Sequence, residues 1–297
     1  MYFMHEKLNM ETYPGAHFKW SNPIEKEIEK QSFGGESCVI DYKLNNRIPT
    51  AGKNKVVLDW SDNNEVNSNE YLAVFKKSLC SIEMHDGYVK KKSLQLSDNV
   101  FPIMEICLPE YLMFKSIKDI EISCTLRTSG KGDTPNRKRI FEHMKKYTKY
   151  GLIGALDEKK LGKLAWKNRT SSNLPANVVK YLKILARSKV IVTCGPSSWE
   201  GDSRLWEALA SGACVISDEI CAKFPRKPEH GKHILYYDVQ NLRSLDDQID
   251  LALNNPDVAE RIGLNGQRLS MNYHTPEKRL KYIKLCLYFL KKRQNLS

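Results

Sequence analysis

The sequence predicts an α/β protein with two domains whose parallel sheets face a cleft, the N-terminal one small. Three observations carry this. The chain has 297 residues, too many for one comfortable small core and enough for two domains of roughly 130–160 residues. From about residue 115 short apolar runs alternate with helix-length amphipathic segments, the pattern of strands buried on both faces by crossover helices. The first third repeats this in shorter pieces cut by turn formers. The expected boundaries are 1–115 for a smaller N-terminal unit and 116–275 for a Rossmann-like unit, with a helix over 276–297 returning toward the first.

In the first third, Cys38–Tyr42 and Val56–Trp60 read as buried strands between turn-rich segments. A helix is expected over Asn69–Leu79 and a strand within Val100–Cys107. Later, Ile120–Leu126 is strand-like, followed by the loop Arg127-Thr-Ser-Gly-Lys-Gly-Asp-Thr-Pro135 and a basic helix near 136–150. A short strand is expected at 150–155. Leu174-Pro-Ala-Asn177 opens a helix to about Ser188. Strand Val190–Cys194, loop Gly195–Gly201, helix Ser203–Ser211 and strand Ala213–Ser217 then form a compact βαβ unit. Gly212 suits the left-handed position after a helix, and Asp202 or Ser203 suits its N-cap. A strand at His233–Tyr237 and helices near 242–253, 256–271 and 276–292 complete the chain.

Charge is concentrated. The chain carries 47 Lys/Arg against 35 Asp/Glu, a net of +12, and residues 131–190 alone hold 16 against 4. Such a block admits nucleic acid, a membrane surface or a phosphorylated small molecule as partner, or a pair of solvated lysine-rich helices. A charged fraction of 28% and a mean hydropathy of −0.50 exclude a membrane-embedded protein. Eight cysteines without a C-x-x-C pair read as buried thiols rather than a zinc or redox motif. The first residues lack a basic head before an apolar stretch, so the protein is expected in the cytoplasm. Leu285–Leu290, flanked by lysines, reads as an amphipathic helix; core packing and peripheral contact with the membrane's cytosolic face are both open to it.

The chemistry concentrates in the βαβ unit. In open parallel sheets, ligands bind beyond the carboxyl ends of strands, where helix N-termini present free N–H groups to anions. Arg204 and Glu207, three apart, share one face of the helix that follows such a loop. An arginine there can grip a diphosphate, and a carboxylate one turn on can accept from vicinal sugar hydroxyls. A local salt bridge between the two is the plainer alternative.

The string Trp199-Glu-Gly-Asp-Ser-Arg-Leu-Trp-Glu-Ala-Leu-Ala-Ser-Gly-Ala-Cys-Val-Ile-Ser217 resembles the donor-binding signature of GT-B glycosyltransferases of the group 1 kind, nearest to exostosin-like and CgeB-like enzymes. Asp257-Val-Ala-Glu-Arg-Ile-Gly-Leu-Asn-Gly266 and Tyr273-His-Thr-Pro-Glu-Lys-Arg279 resemble the closing helices of those domains. The resemblance spans roughly 120–297. It implies a GT-B-like fold and a hexosyl- or pentosyltransferase that uses a UDP- or GDP-sugar as donor substrate. It further implies that Glu207 holds the ribose, that Arg204, Arg127, Lys131 and Ser198 serve the diphosphate, and that Glu200 faces the transferred sugar. Many retaining members space their glutamates E-x7-E; Glu200 and Glu207 here have six residues between them.

No Asp-x-Asp occurs, so no metal is expected, and fixed cations would stabilise the leaving diphosphate. The base that activates the acceptor is expected from the N-terminal domain, with Asp59 and His85 as candidates near strand ends; each also reads as a turn residue. Asp62 and Asp86 share that position. His233 reads as a turn or core histidine. The acceptor stays open between glycan, lipid-linked molecule and protein. The alternatives are a nucleic-acid-binding or -modifying protein using 131–190, where nothing but charge supports nucleic acid, and a catalytically silent nucleotide-sugar-binding module.

Overall fold

The computed structural model describes residues 39–43, 51–59, 61, 68–104, 107, 109–112, 114–126, 135–155, 176–198, 200 and 202–294. The first sheet has four strands, β1 (Val39–Lys43), β2 (Gly52–Asp59), β3 (Tyr71–Lys76) and β6 (Val100–Pro102), all parallel in that spatial order. β2 and β3 lie in its interior, which explains their unbroken apolar runs: Val56, Val57, Leu58, Ala73, Val74 and Phe75 are all buried. The helix expected over 69–79 is therefore β3. Tyr71, Val74 and Phe75 fit a pleated surface between two neighbours better than a helix turn.

Between β3 and β6 the chain makes an antiparallel hairpin, β4 (Cys80–His85) and β5 (Tyr88–Ser93). Its two-residue turn, Asp86-Gly87, needs the positive φ of 75° that Gly87 adopts.

The second sheet has five parallel strands, ordered β11 (Leu235–Tyr237), β10 (Cys214–Asp218), β9 (Ser188–Val192), β7 (Ile120–Leu126) and β8 (Gly151–Ala155). Among the described residues six α-helices accompany it: α1 (Pro135–Met144), α2 (Ala176–Arg187), α3 (Ser203–Ala210), α4 (Leu242–Asn254), α5 (Pro256–Tyr273) and α6 (Pro276–Gln294). Alternation along the strands divides the core. Ile122, Val190 and Val192 pack on one face with Ile140 of α1, Ile249 of α4 and Ile262 of α5. Ile191 and Val215 turn to the other face, against Leu185 of α2 and Leu209 of α3.

That second face belongs to a core that continues into the first sheet. The same cluster contains Val57 and Phe75 together with Trp206 of α3 and Leu280, Ile283 and Leu287 of α6. Tyr282 of α6 meets Phe75 edge-on, with ring centroids 6.3 Å apart. α5 closes on β10 through glycine: a Cβ on Gly263 would lie 2.5 Å from the carbonyl oxygen of Gly212.

Candidate functional site

Topology locates the site first. In the second sheet the chain runs from β7 outward to β8, then returns past β7 to β9. The gap beyond the carboxyl ends of β7 and β9 is thus the switch point where open α/β sheets take ligands. Three segments converge on it: the first turn of α1, the loop 193–200 after β9, and α3.

Arg204 of α3 points toward β7. Its Nη1 donates to the Thr125 carbonyl at 3.4 Å, and its guanidinium lies 5.9 Å from the centre of the Tyr181 ring. Glu207, one turn on, is 4% exposed and accepts a hydrogen bond from the Tyr181 hydroxyl, whose proton is held tightly by burial and by that carboxylate. Tyr181 of α2 thus joins the two residues that sequence spacing had singled out.

Two further residues were hidden in the basic run 136–139. Arg137, 3% exposed, donates from Nε to the Cys194 carbonyl at 2.9 Å and pairs through Nη2 with Asp202, the N-cap of α3. It clamps the loop after β9 to the start of α3. Asn136 accepts from the Val89 amide at 2.7 Å and donates back to the Val89 carbonyl at 2.8 Å, so α1 grips the β4–β5 hairpin. Its own amide donates to the Ser197 hydroxyl at 3.2 Å.

The hairpin and the carboxyl ends of β3 and β6 close the site from the opposite side. Lys91 of β5 reaches Asp218, the last residue of β10, at 3.1 Å. Burial alone would lower the Lys91 amine, but Asp218, then Glu200 and the thiols of Cys194 and Cys80, outweigh it and raise the value above that of free lysine. Asp218 also accepts from the Gly195 amide at 2.7 Å. The Glu200 amide donates to the Ser78 hydroxyl, just past β3, at 3.2 Å. The carboxyl ends of both sheets therefore meet across a cleft lined by Lys91, Met104, Thr193, Glu200, Asp218 and Ile220.

The remaining expected residues fall as follows. Glu200 is 2% exposed; its Oε1 accepts from the Cys221 amide at 2.7 Å and its Oε2 from the Ala222 amide at 3.0 Å. Both carboxylate oxygens thus brace the loop after β10. Ser198 lies half-buried in the loop after β9. Asp59 is 1% exposed and engaged: Lys76, its register partner on β3, approaches its Oδ1 to 3.3 Å, and the Ser61 hydroxyl to 2.5 Å. His85 sits at the exposed tip of the hairpin, stacked on Tyr88 at 4.7 Å. His233 closes a local turn, its Nδ1 accepting from the Glu229 amide at 3.2 Å. Arg127, Lys131 and Asp62 lie outside the described residues.

Among the described residues, three groups of metal-ligand type, Cys80, Glu200 and Cys221, come within 4.8 Å of one another. The two amides already on Glu200 account for its orientation there. No helix of the described residues is long and apolar enough to cross a membrane.

Comparison with known proteins agrees in region with this geometry. Residues 135–284, half of the chain, match the sequence profile of a family described as glycosyl transferase-like. No curated protein is a match in sequence. Among solved structures, TarM of S. aureus is similar at a TM-score of 0.47 and 14% identity, over 80% of this chain and 55% of TarM. The pneumococcal O-GlcNAc transferase GtfA, solved with UDP and GlcNAc, gives 0.42 and 11%, over 81% and 57%. Anabaena Alr3699/HepE in complex with UDP gives 0.41 and 12%, over 65% and 58%. This chain thus spans little more than half the length of each. The profile match covers the first turn of α1, the loop after β9 and all of α3, and on that ground the chain belongs to the glycosyl transferase-like family.

Proposed function

We propose that this protein transfers a sugar from a nucleotide diphosphate sugar, a UDP- or GDP-sugar, to an acceptor held on the first-sheet side of the cleft. The observation that carries the reading is the placement of Arg204, Glu207 and Tyr181 together at the switch point of a chain in this family. Glu207, oriented by Tyr181, accepts from the ribose hydroxyls. Arg204, beside the carboxyl end of β7, offsets the negative charge that grows on the leaving diphosphate, the main electrostatic demand of the reaction. Fixed side-chain cations meet that demand without a metal ion, and Arg127 and Lys131 of the following loop share in it. Ser198 contributes its hydroxyl from the loop after β9.

Glu200 acts indirectly in this scheme, because its carboxylate is committed to the loop after β10 that forms one wall of the cleft. Asp59 is likewise committed to Lys76, which leaves His85 as the accessible candidate for activating the acceptor. The acceptor is a glycan, a lipid-linked molecule or a protein. Closure of the two sheets on the donor would keep water from it.

A thermal-shift panel of UDP, GDP, ADP and their sugars tests the reading. At a hundredfold excess over Kd, the correct nucleotide stabilises the protein by about 2.7 kcal/mol. Arg204→Ala and Glu207→Ala should abolish that shift, and EDTA should leave turnover of the donor unchanged. Stabilisation by none of the nucleotides would overturn the proposal; binding without turnover would leave a silent nucleotide-sugar module.

A further inference from the structure

The last helix has two apolar faces, of which one is spent on the core. Leu280, Ile283, Leu287 and Leu290 of α6 are buried, and Tyr282 lies against Phe75. On the other face, Leu285, Tyr288 and Phe289 are 54%, 58% and 54% exposed. Their spacing of three and four residues puts all three on one stripe, and the Tyr288 and Phe289 rings meet edge-on at 5.6 Å.

Lysines bracket the stripe along the same face. Lys281 stands one turn before Leu285, Lys278 a further turn back, and Lys292 one turn after Tyr288. Arg293 adjoins Lys292. Among the described residues, the acidic groups paired with these cations are Glu277, with Lys281 at 2.8 Å, and Asp98, with Arg293 at 3.5 Å. Among the described residues, four cations against two anions leave the face positive.

We propose that this stripe of α6 is a docking face for an anionic lipid bilayer, with the helix lying in the interface plane. Leu285, Tyr288 and Phe289 enter the boundary between headgroups and acyl chains. Lys278, Lys281 and Lys292 extend along them to the lipid phosphates, as long cationic side chains do at such boundaries. Charge selects this occupant over a second copy of the chain. A two-fold contact would set the same lysines against one another, whereas an anionic surface complements every one of them. The helix lies on the membrane rather than across it, since its opposite face is needed by the core. The inference stands apart from the donor site, because none of these residues touches the switch point.

Co-sedimentation with phosphatidylcholine vesicles, with and without phosphatidylserine, tests it. The wild type should bind the mixed vesicles, and binding should fall as salt rises. Tyr288→Ser combined with Phe289→Ser should lower the partition coefficient by about tenfold or more. Lys292→Glu, a change at an exposed position, should lower it at least about fivefold. Both variants should keep the wild-type melting temperature and nucleotide-induced shift. Wild type that stays in solution with both vesicle types would overturn the proposal. So would a double variant that binds like wild type, or a dimer in sedimentation equilibrium that Phe289→Ser dissolves while no vesicle binds.

Discussion

Lys91 and Asp218 are 127 residues apart in sequence and form an ion pair of 3.1 Å, each side chain 7% exposed. One belongs to the two-stranded hairpin between β3 and β6 and the other ends a strand of the five-stranded sheet, so the pair fastens the hairpin to that sheet across the cleft.

Breaking that pair from either side strands a buried charge. Lys91→Met or Asp218→Leu should each cost about 3–5 kcal/mol of stability, while the double variant should cost less than their sum. Urea denaturation of the four proteins measures the coupling. Because Lys91 is held above its free value, its contribution is complete at neutral pH and is lost only as pH rises beyond the ordinary lysine range.

His274 sets the acid side of stability. The ring is fully buried, 4.3 Å from Trp206, and its Nε2 donates to the Arg226 carbonyl at 2.9 Å. Burial, followed by the charge of Arg279, lowers its pKa to about 2 against a partly opposing effect of that carbonyl. Below the free histidine value the unfolded chain takes up a proton that the folded chain refuses, so stability falls as pH falls. The limiting slope is about 1.4 kcal/mol per pH unit. Urea midpoints between about pH 7 and about pH 5 should decline in the wild type and flatten in His274→Gln.

Gly263 permits the contact of α5 with the turn before β10. A Cβ there would lie 2.5 Å from the Gly212 oxygen and 2.7 Å from the Ala213 carbonyl carbon, both backbone atoms that cannot rotate aside. Gly263→Ala should cost about 1–3 kcal/mol through displacement of the helix. Gly231→Ala is the comparison: its φ is +73° but nothing lies within 4 Å, so only the backbone cost of about 1 kcal/mol applies. A larger loss of melting temperature at 231 than at 263 would refute the packing argument.

Tyr181→Phe removes the hydroxyl on Glu207 and keeps the ring beneath Arg204. Nucleotide affinity should fall about tenfold, in line with a hydrogen bond to a charged group, while the melting temperature without nucleotide changes little. Calorimetric titration with UDP and GDP checks this. Equal affinity in the variant would mean that Tyr181 does not position Glu207.

The second sheet was legible because β9 and β10 carry continuous apolar runs, β7 alternates, and helix-length segments separate the strands. β3 was not, since Tyr-Leu-Ala-Val-Phe-Lys is too short to show a period; its pairing with β2 and β6 decides it. The hairpin escaped because five of the six residues of β4 face solvent, which leaves no alternation to find, although Asp86-Gly87 marked its turn. Arg204 and Glu207 were legible from local spacing. Tyr181, Arg137 and Lys91 act across long sequence separations, and a charge run gives no sign of which cation turns inward. The same holds for Asp59, whose partner Lys76 is set by strand register alone.

A core that passes uninterrupted from Phe75 to Trp206 and on to Leu287 constrains how the cleft admits its ligands. A free hinge would part these side chains and expose them to water. The inexpensive displacement is a shear, with α6 and α3 sliding by small steps while their side chains stay interdigitated. Access to the proposed donor site is then a matter of the Lys91–Asp218 fastening and a short lateral travel, not of two bodies swinging apart.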